Sequence, residues 1–144
     1  MKLKDMIKVI IQVSDELGYR YSEDTTQSKT RIVLEDGNQR YIVTPIKDLN
    51  TISIACSIFN IGDDIDETDR ADTVNQFNLT LDCGTMVLLP DLDIENQFEM
   101  ILVKEVYAIS SSHLRKILSE VFNLMSKTKS FYMNDLVQAM SCKG

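Results

Sequence analysis

The two ends of the chain carry apolar residues at the spacing of amphipathic helices. Apolar positions recur every three or four residues from Lys2 to Leu17, and Gly18 follows as a typical C-terminal stop. Serines at 110–112 supply an N-cap for a second helix. Its apolar face consists of Leu114, Ile117, Leu118, Val121, Phe122 and Met125. The same spacing predicts a further short helix over roughly Tyr132 to Met140.

Strand patterns occupy the first half of the chain after the opening helix. Arg31–Leu34 and Gln39–Thr44 flank an Asp-Gly pair, which is typical of a hairpin turn. Thr51–Phe59 alternates strictly and predicts a half-buried strand. Its core-facing residues are then Ile52, Ile54, Cys56 and Ile58. The polar stretch from Tyr21 to Lys29 favours a loop.

The stretch from Asp72 to Val106 raises the main functional question. Asp66 is placed to cap a helix that runs to Asn78, and two strands follow at Thr85–Leu89 and Gln97–Val106. Each strand has four consecutive apolar residues at its centre, so both of its faces are apolar. The chain's own helices can cover only one of these faces.

The sequence does not show which face of this hairpin packs against the chain's own helices. One set of side chains is Met86, Leu88, Met100 and Leu102, and the other is Val87, Leu89, Ile101 and Val103. The second set is our candidate dimer or partner interface. Two alternatives could cover the outer apolar face of the hairpin. One is a second copy of the chain, and the other is the segment Phe131–Met140 folded back as a lid.

The order of elements is helix, three strands, helix, two strands, then helices. This order predicts an α+β fold with an antiparallel sheet of about five strands and helices packed on one face. No repeat or linker interrupts the chain, so residues 1–144 are expected to form a single domain.

Composition narrows the class of partner. The net charge is −7, and residues 60–103 hold one basic and eleven acidic side chains, which disfavours nucleic acid. Three widely spaced cysteines favour reduced thiols in a cytosol. The start of the chain does not fit a signal peptide, and no apolar run reaches the 18 residues or so of a membrane span. We therefore expect a cytoplasmic protein.

No stretch of the sequence carries a strong catalytic or metal-binding motif. Asp64, Asp66 and Thr68 have the spacing of a calcium loop, but Asp69 and Asn75 stand where glycine and glutamate belong. His113 lies beside three serines at a helix start, where capping is the simpler role. One histidine and scattered cysteines do not form a zinc set, and no phosphate loop is present. We expect no enzyme activity, cofactor or metal.

One resemblance rests on Asn75-Gln76-Phe77-Asn78, Gly84 after a short spacer, two strands and the helix from Ser112. This order resembles the C-terminal half of YbjN-type domains, which belong to the type III secretion chaperone-like superfamily. The preceding helix and three strands also follow that superfamily's order. Two features differ from the pattern: Leu79-Thr80-Leu81 replaces an aromatic and arginines, and Phe131–Met140 is an extra segment.

The resemblance implies a small, non-enzymatic protein. Secretion chaperones are typically homodimers that hold a partner chain in extended form, so it implies a protein-binding module that holds a segment of a partner. The alternative is a regulatory or structural homodimer without a client chain. Both readings need a surface that contacts protein.

Overall fold

The computed structural model describes residues 1–26, 29–37, 39–81, 84–91 and 93–142. The helices in this part of the chain are α1 (Leu3–Leu17), α2 (Glu67–Thr80) and α3 (Ser111–Cys142). The strands are β1 (Arg20–Thr26), β2 (Lys29–Asp36), β3 (Gln39–Ile46), β4 (Thr51–Gly62), β5 (Thr85–Pro90) and β6 (Gln97–Tyr107). A 3₁₀ turn at Lys47–Leu49 joins β3 to β4.

The strands form one antiparallel sheet in the order β1-β2-β3-β4-β6-β5. The predicted α+β class and antiparallel sheet are therefore confirmed. The described residues contribute six strands, where about five were expected.

β1 is the additional strand, and the loop predicted over Tyr21 to Lys29 is wrong for its described part. Side chains from Arg20 to Thr25 are exposed, so the strand has no apolar face for a pattern to reveal. It pairs with β2 from Arg20 opposite Glu35 to Thr26 opposite Lys29. Backbone pairing holds this polar strand at the edge of the sheet.

The core lies between one face of the sheet and helices α1 and α3. The predicted inward residues of β4 are all buried, which confirms the alternation: Ile52, Ile54, Cys56 and Ile58. The helices contribute a buried stripe of Met6, Val9, Ile10, Val13, Leu114, Leu118, Val121, Phe122 and Met125. Tyr41 and Phe122, with ring centroids 5.1 Å apart, join β3 to α3 within this layer.

Helix α2 covers the same face of the sheet near β5. The rings of Phe77 and Phe59 lie 5.8 Å apart, and Phe59 pairs in register with the buried Met100. The Arg70 guanidinium lies 4.2 Å from the centroid of the Phe98 ring. All three helices therefore pack on one face, as the sequence predicts.

The ends of the helices follow the predicted capping residues. Gly18 ends α1 with a φ of 74°, a left-handed conformation that glycine adopts readily. The Asp66 side chain accepts a hydrogen bond from Thr68 N–H, and Ser110 Oγ accepts one from His113 N–H at 3.3 Å. The backbone N–H of His113 thus takes part in the N-terminal cap of α3, with Ser110 as the capping residue.

The predicted separate helix over Tyr132 to Met140 is wrong, because its backbone continues α3 without a break to Cys142. Residues 126–130 are polar but include neither glycine nor proline, and the Thr128 hydroxyl donates to Leu124 O at 2.8 Å within the helix. Within the described part of the chain, no separate helix after Phe131 folds back as a lid. Among the described helices, none combines the length and apolarity needed to cross a membrane.

Candidate interaction surface on the open face of the sheet

The register of the hairpin β5–β6 assigns its two apolar sets to opposite faces of the sheet. Met86 lies opposite Leu102 and Leu88 opposite Met100. Met86, Met100 and Leu102 are buried, and Leu88 packs against the core. This set faces the helices, so the other set lies on the face that no described helix covers, which we call the open face.

The four predicted interface residues all lie on this open face. Val87 pairs with Ile101, and Val103 and Leu89 follow two residues further along their own strands in the alternating pattern. Val87, Ile101 and Val103 are partly exposed, whereas half of the Leu89 side chain is exposed. The structure thus groups the four residues, and their role as an interface remains a prediction.

The open face also carries apolar residues that the sequence analysis did not single out. Val33, Ile42, Ala55 and Val103 are successive register partners across β2, β3, β4 and β6, and we call them the apolar row. Their signal is present in the sequence, because Val33 and Ile42 each lie between two apolar neighbours. These runs are shorter than those of the hairpin, so they did not indicate a second apolar face by themselves.

The asparagine at the end of the Asn75–Asn78 motif holds the edge strand β5. Asn78 Nδ2 donates to Met86 O at 3.0 Å, and Asn78 Oδ1 accepts from Met86 N–H at 2.6 Å. The side chain thereby takes the place of a neighbouring strand at that residue. Asn78 therefore satisfies both backbone groups of Met86 and fixes α2 against the hairpin.

Gly84 allows the chain to enter β5 close to the backbone of β6. Its φ is 76°, and a Cβ at this position would lie 2.4 Å from Val103 O. Any other residue would meet both a left-handed conformation and a direct clash. The motif residues Asn78 and Gly84 thus position the hairpin that carries the candidate surface.

Charges are unevenly spread over the open face. The β1–β3 half carries Arg31 and Arg40, together with Arg20 and Glu35, whose side chains form an ion pair at 3.8 Å. Asp24 lies opposite Arg31 on β1, and no ion pair joins these two side chains, both of which the structure describes. The β6 half carries Glu99 and Glu105. The open face is therefore basic on one side and acidic on the other.

A second group of titratable side chains among the described residues lies beneath the helices. Burial raises the pKa of Tyr19 and of Tyr41, and it raises the pKa of the Cys56 thiol to about 11. The Tyr41 hydroxyl donates to Gln39 Oε1, and Gln39 Nε2 donates to Ser126 Oγ at 3.1 Å. At neutral pH the Cys56 thiol is protonated and enclosed, which does not favour nucleophilic chemistry.

The described residues assign no ligand set to the acidic positions considered in the sequence. Asp66 acts as the α2 cap, and within the described part of the chain no three His, Cys, Asp or Glu side chains are grouped to hold a metal ion. Cys83 lies outside the described residues. The open face is accordingly the surface on which the functional argument rests.

The architecture defines a class: an antiparallel sheet covered on one face by α1, α2 and α3, with the hairpin β5–β6 at one edge, is a YbjN-type fold. The chain is similar to the crystal structure of YbjN, described as a candidate transcription regulator from E. coli. The TM-score is 0.59 and the identity is 12%, over 85% of this chain and 87% of the YbjN chain. At this identity the likeness establishes the fold alone.

The sequence of the chain reveals no further relative. No protein-family model matches the chain. No curated protein matches it either.

Proposed function

We propose that this chain is a non-catalytic protein-binding module whose binding surface is the open face of its sheet. The observation that supports the proposal is the apolar row of Val33, Ile42, Ala55 and Val103, which the hairpin residues Val87 and Ile101 extend. Ile42, Ala55, Val87, Ile101 and Val103 are partly exposed, whereas Val33 is buried at 9% exposure. The partly exposed residues form one continuous apolar patch across four strands. Such a surface is typical of protein contacts.

Protein is favoured over nucleic acid as the partner because of the charge of the molecule. The net charge is −7, and Glu99 and Glu105 lie beside the apolar residues of the open face. A phosphate backbone would be repelled by this half of the surface. YbjN is described as a candidate regulator, and a regulatory role exerted through protein contacts on this face fits our proposal.

The module would hold a segment of a partner protein against the open face. Among the described residues, the open face offers partly exposed apolar side chains along paired strands, an arrangement that suits an extended chain or another sheet better than a small molecule. The alternative is a regulatory or structural homodimer, and the opposite charges on the two halves of the open face favour it specifically.

The experiment is affinity capture from native cytosol with the paired substitution Val87→Lys and Ile101→Lys. Two buried lysines would impose a large desolvation cost on any complex formed here. We expect the wild type to recover a stoichiometric partner, which includes an untagged copy of itself, and the variant to lose it while its melting temperature stays within a few degrees.

A matched control adds the same two charges elsewhere. Leu79 and Ile109 are 85% and 72% exposed and lie outside the open face. The paired substitution Leu79→Lys and Ile109→Lys should capture the partner like the wild type. Capture that survives Val87→Lys with Ile101→Lys would contradict the proposal.

A further inference from the structure

The two edge strands of the sheet, β1 and β5, are protected in different ways. β1 carries the charged side chains of Arg20, Glu23 and Asp24, and charges on an edge strand discourage pairing with other strands. β5 has no charged residue from Thr85 to Pro90, and apolar side chains occupy both of its faces. By its composition β5 is the edge on which an added strand would pair, so another element has to protect it.

Helix α2 protects this edge through Asn78. The Asn78 amide bonds both backbone groups of Met86, which therefore point away from β6. Since hydrogen bonding alternates along an antiparallel strand, the backbone groups of Leu88 point to the same side. Pro90 ends the strand without an N–H. Asn78 thus occupies the first pairing position of the β5 edge.

The attachment of α2 to the sheet is shallow. None of the α2 side chains that the structure describes is buried, whereas α1 has five buried residues. Among the side chains that hold α2 in place are Arg70, Val74, Phe77 and Asn78. Segments with little buried surface open at a lower free energy than the rest of a fold, and an isolated helix of 14 residues is marginal in water. We therefore expect α2 to detach before α1 or α3.

We infer that α2 is a displaceable guard and that the edge of β5 is a strand-addition site for an extended segment of another protein. Detachment of α2 removes Asn78 from Met86 and frees the backbone groups of the edge. The incoming segment then adds to β5 as a further strand of the sheet. This site is the backbone edge of the sheet, which the proposed function of the open face does not use.

The side chains of β5 define the chemistry of the incoming segment. Met86 and Leu88 lie on the helical side of the sheet, and Val87 and Leu89 lie on the open face. The side chains of an added strand lie beside those of its neighbour on each face. A charged segment would find no opposite charge on β5. The segment that fits is therefore uncharged and apolar on both faces.

Hydrogen–deuterium exchange of the full chain tests whether α2 detaches by itself. We expect the hydrogen-bonded amides of α2 and the Met86 amide to exchange together, about tenfold or more faster than those of β4 and independently of dilute urea. Asn78→Ala removes both bonds to Met86 and should speed this exchange about tenfold further. Asn75→Ala is the control at an exposed position of the same helix, and its effect should stay below about threefold. Amides of α2 that exchange only when the whole sheet unfolds would overturn the displaceable guard.

Fluorescence anisotropy measures strand addition with a labelled peptide of about eight valines and threonines and a lysine at each end. Because only the opened state binds, the apparent affinity follows the population of that state. Asn78→Ala should therefore bind the peptide about tenfold more tightly than the wild type. The same peptide with N-methyl groups at alternate residues lacks the N–H groups for strand pairing and should not bind.

Ala71→Pro opens the edge by an independent route. Ala71 is an exposed residue in the interior of α2, where proline breaks a helix without altering β5. This variant should bind the peptide at least as tightly as Asn78→Ala, while β4 keeps the slow exchange of the wild type. If Ala71→Pro does not fold, Asn78→Ala decides the result. Folded variants that do not bind the peptide more tightly than the wild type, or that bind the N-methylated peptide equally well, would overturn the strand-addition site.

Strand addition on β5 and capture by the open face can fail separately, because neither measurement alters Val87 or Ile101. A wild type whose α2 stays closed, yet which captures a partner that Val87→Lys with Ile101→Lys abolishes, would refute the guard and leave the open face intact. Tight binding of the peptide to Asn78→Ala together with captures that ignore the lysine pair would do the reverse.

Discussion

At the scale of residues, a single side chain on one side of the sheet can position residues on the opposite, open face. Asn78 lies on α2, on the helical side of the sheet, yet its two hydrogen bonds to Met86 fix the strand that presents Val87 to the open face. The sequence indicated Asn78 only as part of a family pattern. Its bonding role depends on the placement of α2 beside β5, which no local spacing encodes.

Asn78→Ala should lower the free energy of unfolding by roughly 1–3 kcal/mol, because two backbone groups of Met86 lose their partner. Asn75→Ala is the matched control from the same motif, since Asn75 is exposed, and it should change stability by less than about 0.5 kcal/mol. Urea denaturation measures both. Equal effects for the two asparagines would contradict the role given to Asn78.

At the scale of elements, sequence periodicity succeeded where one face of an element is buried. α1, β4 and the first half of α3 show regular apolar spacing and occur as predicted. β1 was missed because its side chains are exposed and polar. The end of α3 does not join the rest by pattern, because the polar residues at 126–130 interrupt the apolar spacing, although they include no glycine or proline to break a helix.

The placement of β4 can be tested with adjacent residues on its two faces. Ile52 is fully buried and lies between Pro45 and Val106, so Ile52→Asp should cost about 3 kcal/mol or more by burying a charge without a partner. Ser53 points to the open face, and Ser53→Asp should cost less than about 1 kcal/mol. Similar melting temperatures for the two variants would show that the register is wrong.

For the whole molecule, the orientation of the hairpin β5–β6 could not be predicted from the sequence and is defined by the sheet. Both sets of hairpin side chains are apolar, so the choice of inward face depends on long-range pairing with β4 and on the helices above it. The same pairing aligns Val33, Ile42 and Ala55 with Val103 across the sheet. None of these alignments is local, and all of them bear on the proposed function.

The central claim, that the open face contacts protein in the cell, is tested most directly by site-specific photo-crosslinking with a matched pair of leucines. A photo-reactive phenylalanine analogue replaces either Leu89 on the open face or Leu79 on α2, which are 50% and 85% exposed. After irradiation of intact cells, the account predicts a discrete adduct of defined mass from position 89 and none from position 79. Discrete adducts from position 79 alone, or from neither position, would contradict it.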